Sequence, residues 1–324
     1  MSKFFYWIGI IVVMTSCGKD VDIFIPRSNQ GEIGDLNRLT TRLKEDISGN
    51  ISYVIPVGCF GNEVFEVDKD LVIGVPADFV DLSEFPCVND GFELHITACD
   101  TKGEILIAGI PTISEGKLLE SRIEINLQIR QGSTVVKLSK GKKITIKVND
   151  PDPRERMELF YGNDENSEWL QADNDPTAWD NVTNGEWVIQ DSFNTIIGSG
   201  YETLSDSIDW INIDVFFEIM ESQRTDVCIA LPAEFSNTNT AVYMVFNDYN
   251  SIIKLFGDAE VHQFCEPYFS TPIGFNVTFI AISEMGEDCY LFAKKTTSIT
   301  PHHSEFLTPV KTPYEEIKNF ILEL

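Results

Sequence analysis

From residue 51 onward the chain is written in short Val- and Ile-rich runs, at 51–57, 64–67, 71–75, 92–98, 105–108, 123–129, 135–138 and 144–148. Each is too brief for a helix, and Gly, Pro, Asn and Asp separate them at strand-plus-turn spacing. This is the pattern of a β-sandwich. At 123–129 the alternation is regular: Ile123, Ile125, Leu127 and Ile129 interleave with Glu124, Asn126 and Gln128, which predicts a strand with one dry and one wet face. Asp150-Pro-Asp-Pro153 then imposes an extended break, because proline restricts itself and the residue before it. A second set of runs follows at 226–231, 240–246, 252–255, 276–283 and 289–294, with 247–250 and 285–288 as hairpin turns. The expected fold class is all-β (mostly). An N-terminal β-sandwich occupies 36–150, an aromatic-rich connecting segment 151–215, and a C-terminal Ig-like β domain 216–324.

Two helices interrupt this texture. Leu36, Leu39, Leu43 and Ile47 have helical spacing over 36–47, with Asp35 as cap. At the other end, 313–323 reads as a closing helix. Thr312 is the expected cap, Pro313 the first turn and Glu315 the partner in a capping box. Its apolar stripe of Ile317, Phe320, Ile321 and Leu324 should dock on the last β domain.

The first residues carry an address rather than a fold. An apolar run over 4–14 stands behind Lys3 and is followed by the small residues Thr15 and Ser16, then Cys17. These are the parts of a secretory signal peptide, and the run is too short for a membrane-spanning helix, which needs about 20 residues. A cysteine directly after the small residues reads as a lipobox: residues 1–16 are removed and Cys17 is acylated, with palmitate or a similar chain. Met14 stands where many lipoboxes have leucine. Residues 17–35 then form a tether containing Gly18, Pro26, Ser28, Gly31 and Gly34. Gly18 replaces the aspartate that signals inner-membrane retention, so the expected location is the outer membrane, on its periplasmic or surface face.

Charge narrows the partners. Twenty-four Lys and Arg stand against 51 Asp and Glu, a formal charge of −27. That excess argues against nucleic acid, since it repels phosphate. It also repels anionic lipid, so membrane attachment must come from the acyl chains. An exported chain can form disulfides. Of the six cysteines beyond Cys17, the expected pairs are Cys87 with Cys99 and Cys265 with Cys289, each pair read as flanking two adjacent strands. No cysteine or histidine spacing fits a metal site.

Chemistry is sparsely signalled. The common motifs of serine hydrolases, zinc proteases, phosphate-binding loops and dinucleotide sites are missing. His95 falls inside an expected strand, and His302 and His303, being neighbours on an extended segment, should point apart. Asp173-Asn-Asp175 resembles the start of a calcium loop but lacks its later ligands, so an acidic turn is the default and loose Ca2+ binding the alternative. Trp169, Trp179, Trp187 and Trp210 lie beside Asp173 and Asp175 in 151–215. As exposed rings they would form a sugar-stacking platform; as buried rings they would fill the contact between two β units, and this second reading is preferred. Paired carboxylates are the remaining acid–base material, and a polysaccharide hydrolase would need two of them in a cleft.

Val75-Pro-Ala-Asp-Phe-Val-Asp81, Gly109-Ile-Pro-Thr112 leading through Gly116-Lys-Leu-Leu119, and Met157-Glu-Leu-Phe-Tyr-Gly162 together resemble an uncharacterised family of envelope lipoproteins from Bacteroidetes-type bacteria. Asp209-Trp-Ile-Asn-Ile-Asp214 is similar to that family's Trp-Ile-Asn-Cys-Asp, with Ile213 in place of the cysteine. The first stretch also looks like a ZU5-type β-sandwich, a domain used for protein contacts. The resemblance spans residues 50–320 and implies a Gram-negative envelope lipoprotein; it brings no catalytic residues. The expectation is a lipid-anchored, non-enzymatic envelope protein that holds a protein or glycan partner. The alternatives are a polysaccharide-acting hydrolase and a purely structural envelope protein.

Overall fold

The computed structural model describes residues 36–324 apart from 69, 88–90, 164–167, 173–181, 191–194, 207, 259–261 and 287–288. The chain is mostly β, as the short-run pattern predicts. Its first layer is a long sheet in the order β1-β4-β6-β13-β9-β10-β5. These strands are β1 (Ser52–Val57), β4 (Phe92–Cys99), β5 (Ile113–Ser114), β6 (Lys117–Gln131), β9 (Glu158–Asn163), β10 (Glu168–Gln171) and β13 (Trp210–Phe216). The short β7 (Thr134–Val136) folds back on β6. The facing layer runs β11-β12-β8-β3-β2. It is built from β2 (Glu63–Val67), β3 (Leu71–Val75), β8 (Ile144–Asn149), β11 (Thr183–Gln190) and β12 (Thr195–Ser205). Ile123, Ile125, Leu127 and Ile129 of β6 meet Ile73, Ile144, Ile146 and Val148 between the layers, so the inward set of the alternating strand is the one its sequence indicates.

Residues 151–215 are therefore not a connecting segment. β13 lies between β6 and β9 in the first sheet, and β12 lies between β8 and β11 in the second, so this stretch completes the sandwich that 36–150 begins. The correction has a simple cause. β12 pairs with β8 and β13 with β6, both far away in sequence, and the acidic loops between them hide the strand pattern.

A second correction concerns 105–108. These residues belong to α2 (Lys102–Ala108), not to a strand. Thr101 and Glu104 form a reciprocal capping box, and Gly109 closes the helix at φ 90°, a left-handed conformation that suits glycine. At the chain's end the reverse holds. α3 (Tyr314–Leu322) forms as expected, but Pro313 is its N-cap and no side chain caps it, because the Thr312 hydroxyl donates to the Val310 carbonyl instead.

The C-terminal unit is one curled ladder, β22-β15-β18-β17-β16-β20-β21-β23. It comprises β15 (Val227–Ala230), β16 (Thr240–Phe246), β17 (Ile252–Asp258), β18 (Gln263–Cys265), β20 (Asn276–Glu284), β21 (Tyr290–Ser298), β22 (His303–Phe306) and β23 (Val310–Lys311), with β14 (Arg224–Thr225) and β19 (Thr271–Pro272) paired beside it. The expected turn at 247–250 joins the antiparallel pair β16–β17, and that at 285–288 falls between the antiparallel strands β20 and β21, with 287–288 outside the described residues. One pairing, β15 with β22, is parallel.

The first helix, α1 (Leu36–Ile51), precedes the sandwich in sequence but packs on the other unit. Leu39, Leu43 and Ile47 share a core with α2, with Ile317 and Ile321 of α3, and with Tyr243 and Ile282 of the C-terminal sheet. Arg38 donates through Nε to the fully buried Glu284 carboxylate at 2.7 Å. The Arg42 guanidinium lies 3.8 Å from the Tyr314 ring centroid. Leu43→Ala should lower stability by about 2–5 kcal/mol, read as a shift in the urea midpoint. The same change at the exposed Lys44 should leave it within about 0.5 kcal/mol.

Candidate functional site

Among the described residues the tryptophans do not assemble into a platform. Trp179, Asp173 and Asp175 lie outside the described residues, as does Cys17. Trp169, on β10, is fully buried with Leu119 and Phe160, and the half-buried Trp210 packs against this cluster. Gly162 makes that packing fit: a Cβ there would strike the Trp210 side chain. Trp187 is buried in the other sheet, where its ring lies across Gly198, its cross-strand partner. The Lys147 ammonium stands 5.3 Å from that ring and donates to the Val188 carbonyl at 3.0 Å. Trp169 and Trp187 are thus buried in separate sheets, and Trp187 lies within the sandwich rather than at a contact between units. Leu118 points into the C-terminal core while its neighbour Leu119 joins the Trp169 cluster, which places that cluster beside the contact between units.

The expected disulfides are corrected in both halves. Cys59 pairs with Cys87, and Cys228 with Cys265. Cys87 and Cys99 cannot bridge, because Cys87 precedes β4 and Cys99 ends it; the strand alone spans roughly 23 Å. Antiparallel pairing of β1 with β4 brings Val57 opposite Phe92, so the residues just beyond those ends, Cys59 and Cys87, meet instead. Cys228 and Cys265 are direct cross-strand partners, which removes Cys265 as a partner for Cys289. Cys99 is buried in the core shared by the helices.

A pair of carboxyls does occur, in a place the sequence does not disclose. Glu124 and Asp214 lie on the face of β6 and β13 that turns away from the sandwich core, and both are fully buried. The C-terminal unit approaches the same stretch: the Ser121 amide donates to the Asn250 carbonyl at 3.0 Å, and Asn250 returns a hydrogen bond to the Ser121 carbonyl at 2.9 Å. The face expected to be wet is therefore dry at Glu124, though Asn126 and Gln128 remain half-exposed. Burial pushes the Glu124 carboxyl well above the usual range, and the neighbouring Asp214 charge adds to the effect. Burial likewise raises Asp214; hydrogen bonds from Ser121 and Asn212 oppose the rise and Glu120 adds to it. Asn212 donates to Asp214 at 2.5 Å. Raised carboxyls suit acid catalysis in a cleft, but a pair with no exposed surface offers a substrate nothing to touch. These two groups belong to the packing between units.

The histidines also have structural places. His302 is exposed against Asp226 at 2.7 Å, whereas His303 is buried and stacked on Phe279, so the two point apart as expected. Among the described residues no three His, Cys, Asp or Glu side chains cluster in a way that would hold a metal.

The open site lies elsewhere. Between β21, the 306–312 segment and α3 runs a groove of about 910 Å³. Phe292 and Phe320 lie in it with ring centroids 5.2 Å apart. Phe306 is 59% exposed and Val310 60%. The Lys294 ammonium lies 4.1 Å from the Phe320 centroid, Lys295 pairs with Glu305, and Glu315 and Glu316 line the helix side. Sequence reasoning passes over this place because it is assembled from three elements. The one local signal is Phe306, an apolar residue in step with the exposed Ser304. No known protein family matches the chain, and no characterised protein is similar to it in sequence.

Glu124 should make stability fall as pH rises. Its folded-state pKa is above its unfolded one, so the folded chain holds the proton more tightly. Stability is then highest below the ordinary carboxylate range and declines through the interval up to the raised value. Asp214 faces the same region, is raised as well and acts in the same sense. Glu124→Gln should raise the urea midpoint at pH 8 and flatten its decline between pH 5 and pH 8; an unchanged slope would contradict this account.

Proposed function

We propose that the protein is a lipid-anchored, non-enzymatic component of the cell envelope, acylated at Cys17, that holds a partner in the groove between β21 and α3. The resemblance to envelope lipoproteins supports the setting, and so do the leader and lipobox. Two disulfides among the described residues are consistent with an oxidising compartment. Gly18 after the cysteine favours the outer membrane. With a charge of −27, the acyl chains rather than surface electrostatics supply attachment.

The observation that carries the holding function is the groove itself. It is open to solvent and lined by three elements, β21, the 306–312 segment and α3. It also combines exposed apolar anchors with charges of both signs on a disulfide-braced scaffold. Ion pairs such as Lys295–Glu305 fix its walls without closing it.

Two measurements test the reading. Cys17→Ala should move the chain from the membrane fraction to the soluble fraction of the envelope. The acylated protein, used as bait on detergent-solubilised envelope, should retain a partner that Phe306→Asp reduces at least about tenfold. Equal retention by both forms, or no retention together with turnover of a polysaccharide by the wild type, would overturn the proposal.

A further inference from the structure

We infer that the groove takes an extended peptide segment, which adds as a strand to the open edge of β21; this gives the partner a chemical class and rests on the holding function proposed above. β21 pairs with β20 along its whole length, Tyr290 with Glu284 through Ser298 with Asn276. On its other edge β23 covers Leu291 and Phe292 and then stops. Over 293–298 the peptide groups of that edge make no further backbone hydrogen bond among the described residues. An uncovered strand edge is a row of donors and acceptors at the spacing of another extended backbone.

The groove follows the first part of this edge, at 293–295. Ala293, Lys294 and Lys295 line it, and Phe306 and Val310 line it from the connecting segment. Lysines commonly guard such edges against pairing. Here both are drawn aside: Lys294 lies over the Phe320 ring, and Lys295 is held by Glu305. The edge is left accessible while the apolar anchors stay exposed. In strand addition, backbone hydrogen bonds supply affinity and pockets beside the edge select side chains. Phe306 and Val310 would therefore favour a segment with bulky apolar residues at alternate positions. A glycan lacks the alternating N–H and C=O groups that the edge matches.

The test is a displayed library of random heptapeptides selected on the full-length protein, with counter-selection on Phe306→Asp. Enriched peptides should carry apolar residues at alternate positions, and N-methylation of alternate amides should weaken their binding by at least about tenfold, since several backbone hydrogen bonds are lost together. Slowed amide hydrogen exchange should appear at 293–298. Failure to enrich any peptide, binding indifferent to N-methylation, or protection of 293–298 by β-glucan hexasaccharides and not by peptides would each overturn strand addition. If an envelope partner is still retained through Phe306 in that case, the holding function stands without it; if none is retained, both fall.

Discussion

A single strand, β6, belongs to two cores at once. Its first residues pack Leu118, with Ile113 of β5, into the C-terminal unit, and its later ones pack Ile123 to Ile129 into the sandwich. A seam of buried polar contacts follows it. The Thr112 amide donates to the Ile252 carbonyl at 3.0 Å, its hydroxyl meets Ser251 at 2.7 Å, and Asn250 reaches both the Ser121 and the Asp100 carbonyls. Lys102 at the start of α2 donates to the Phe246 and Asn247 carbonyls, each at 2.8 Å. Buried polar groups cost free energy unless each finds its partner, so this seam tolerates one relative placement of the units. The position of α1, and with it the helix layer that supports α3, depends on that placement.

The same enclosure explains why the conspicuous residues are not the reactive ones. Tryptophans are large enough to fill a core, and Trp169 does so beside the junction. Carboxyls enclosed at the junction become hard to ionise, as at Glu124 and Asp214, and what would mark an active site in a cleft here marks a packed contact. The groove proposed to hold a partner lies where β21 outruns β23 and α3 crosses nearby.

Much of the strand content was legible in the sequence because inward and outward positions alternate with a period of two, as at 123–129. What escaped is non-local or capping-dependent. The four apolar residues of α2 carry no periodicity of their own and so resemble a strand; the distinguishing signal is Thr101 with Glu104, three residues apart, ahead of Gly109. β12 and β13 were lost in acidic sequence because their partners are far away in the chain. The disulfides depend on strand register, which spacing between cysteines does not encode. The groove was legible least of all. The apolar stripe of α3 announced that it would dock, and Ile317 and Ile321 are indeed fully buried, but the angle that leaves Phe320 lining an open groove is set by tertiary packing.

Interlocked units should unfold as one. A 19F-labelled tryptophan at Trp187, buried in the second sheet, reports the sandwich alone. A 19F-labelled phenylalanine at Phe279, buried in the other core, reports the C-terminal unit. In a urea titration of the full chain the two signals should trace one transition with a common midpoint. Two separate midpoints would show that the seam along β6 does not bind the units into one body.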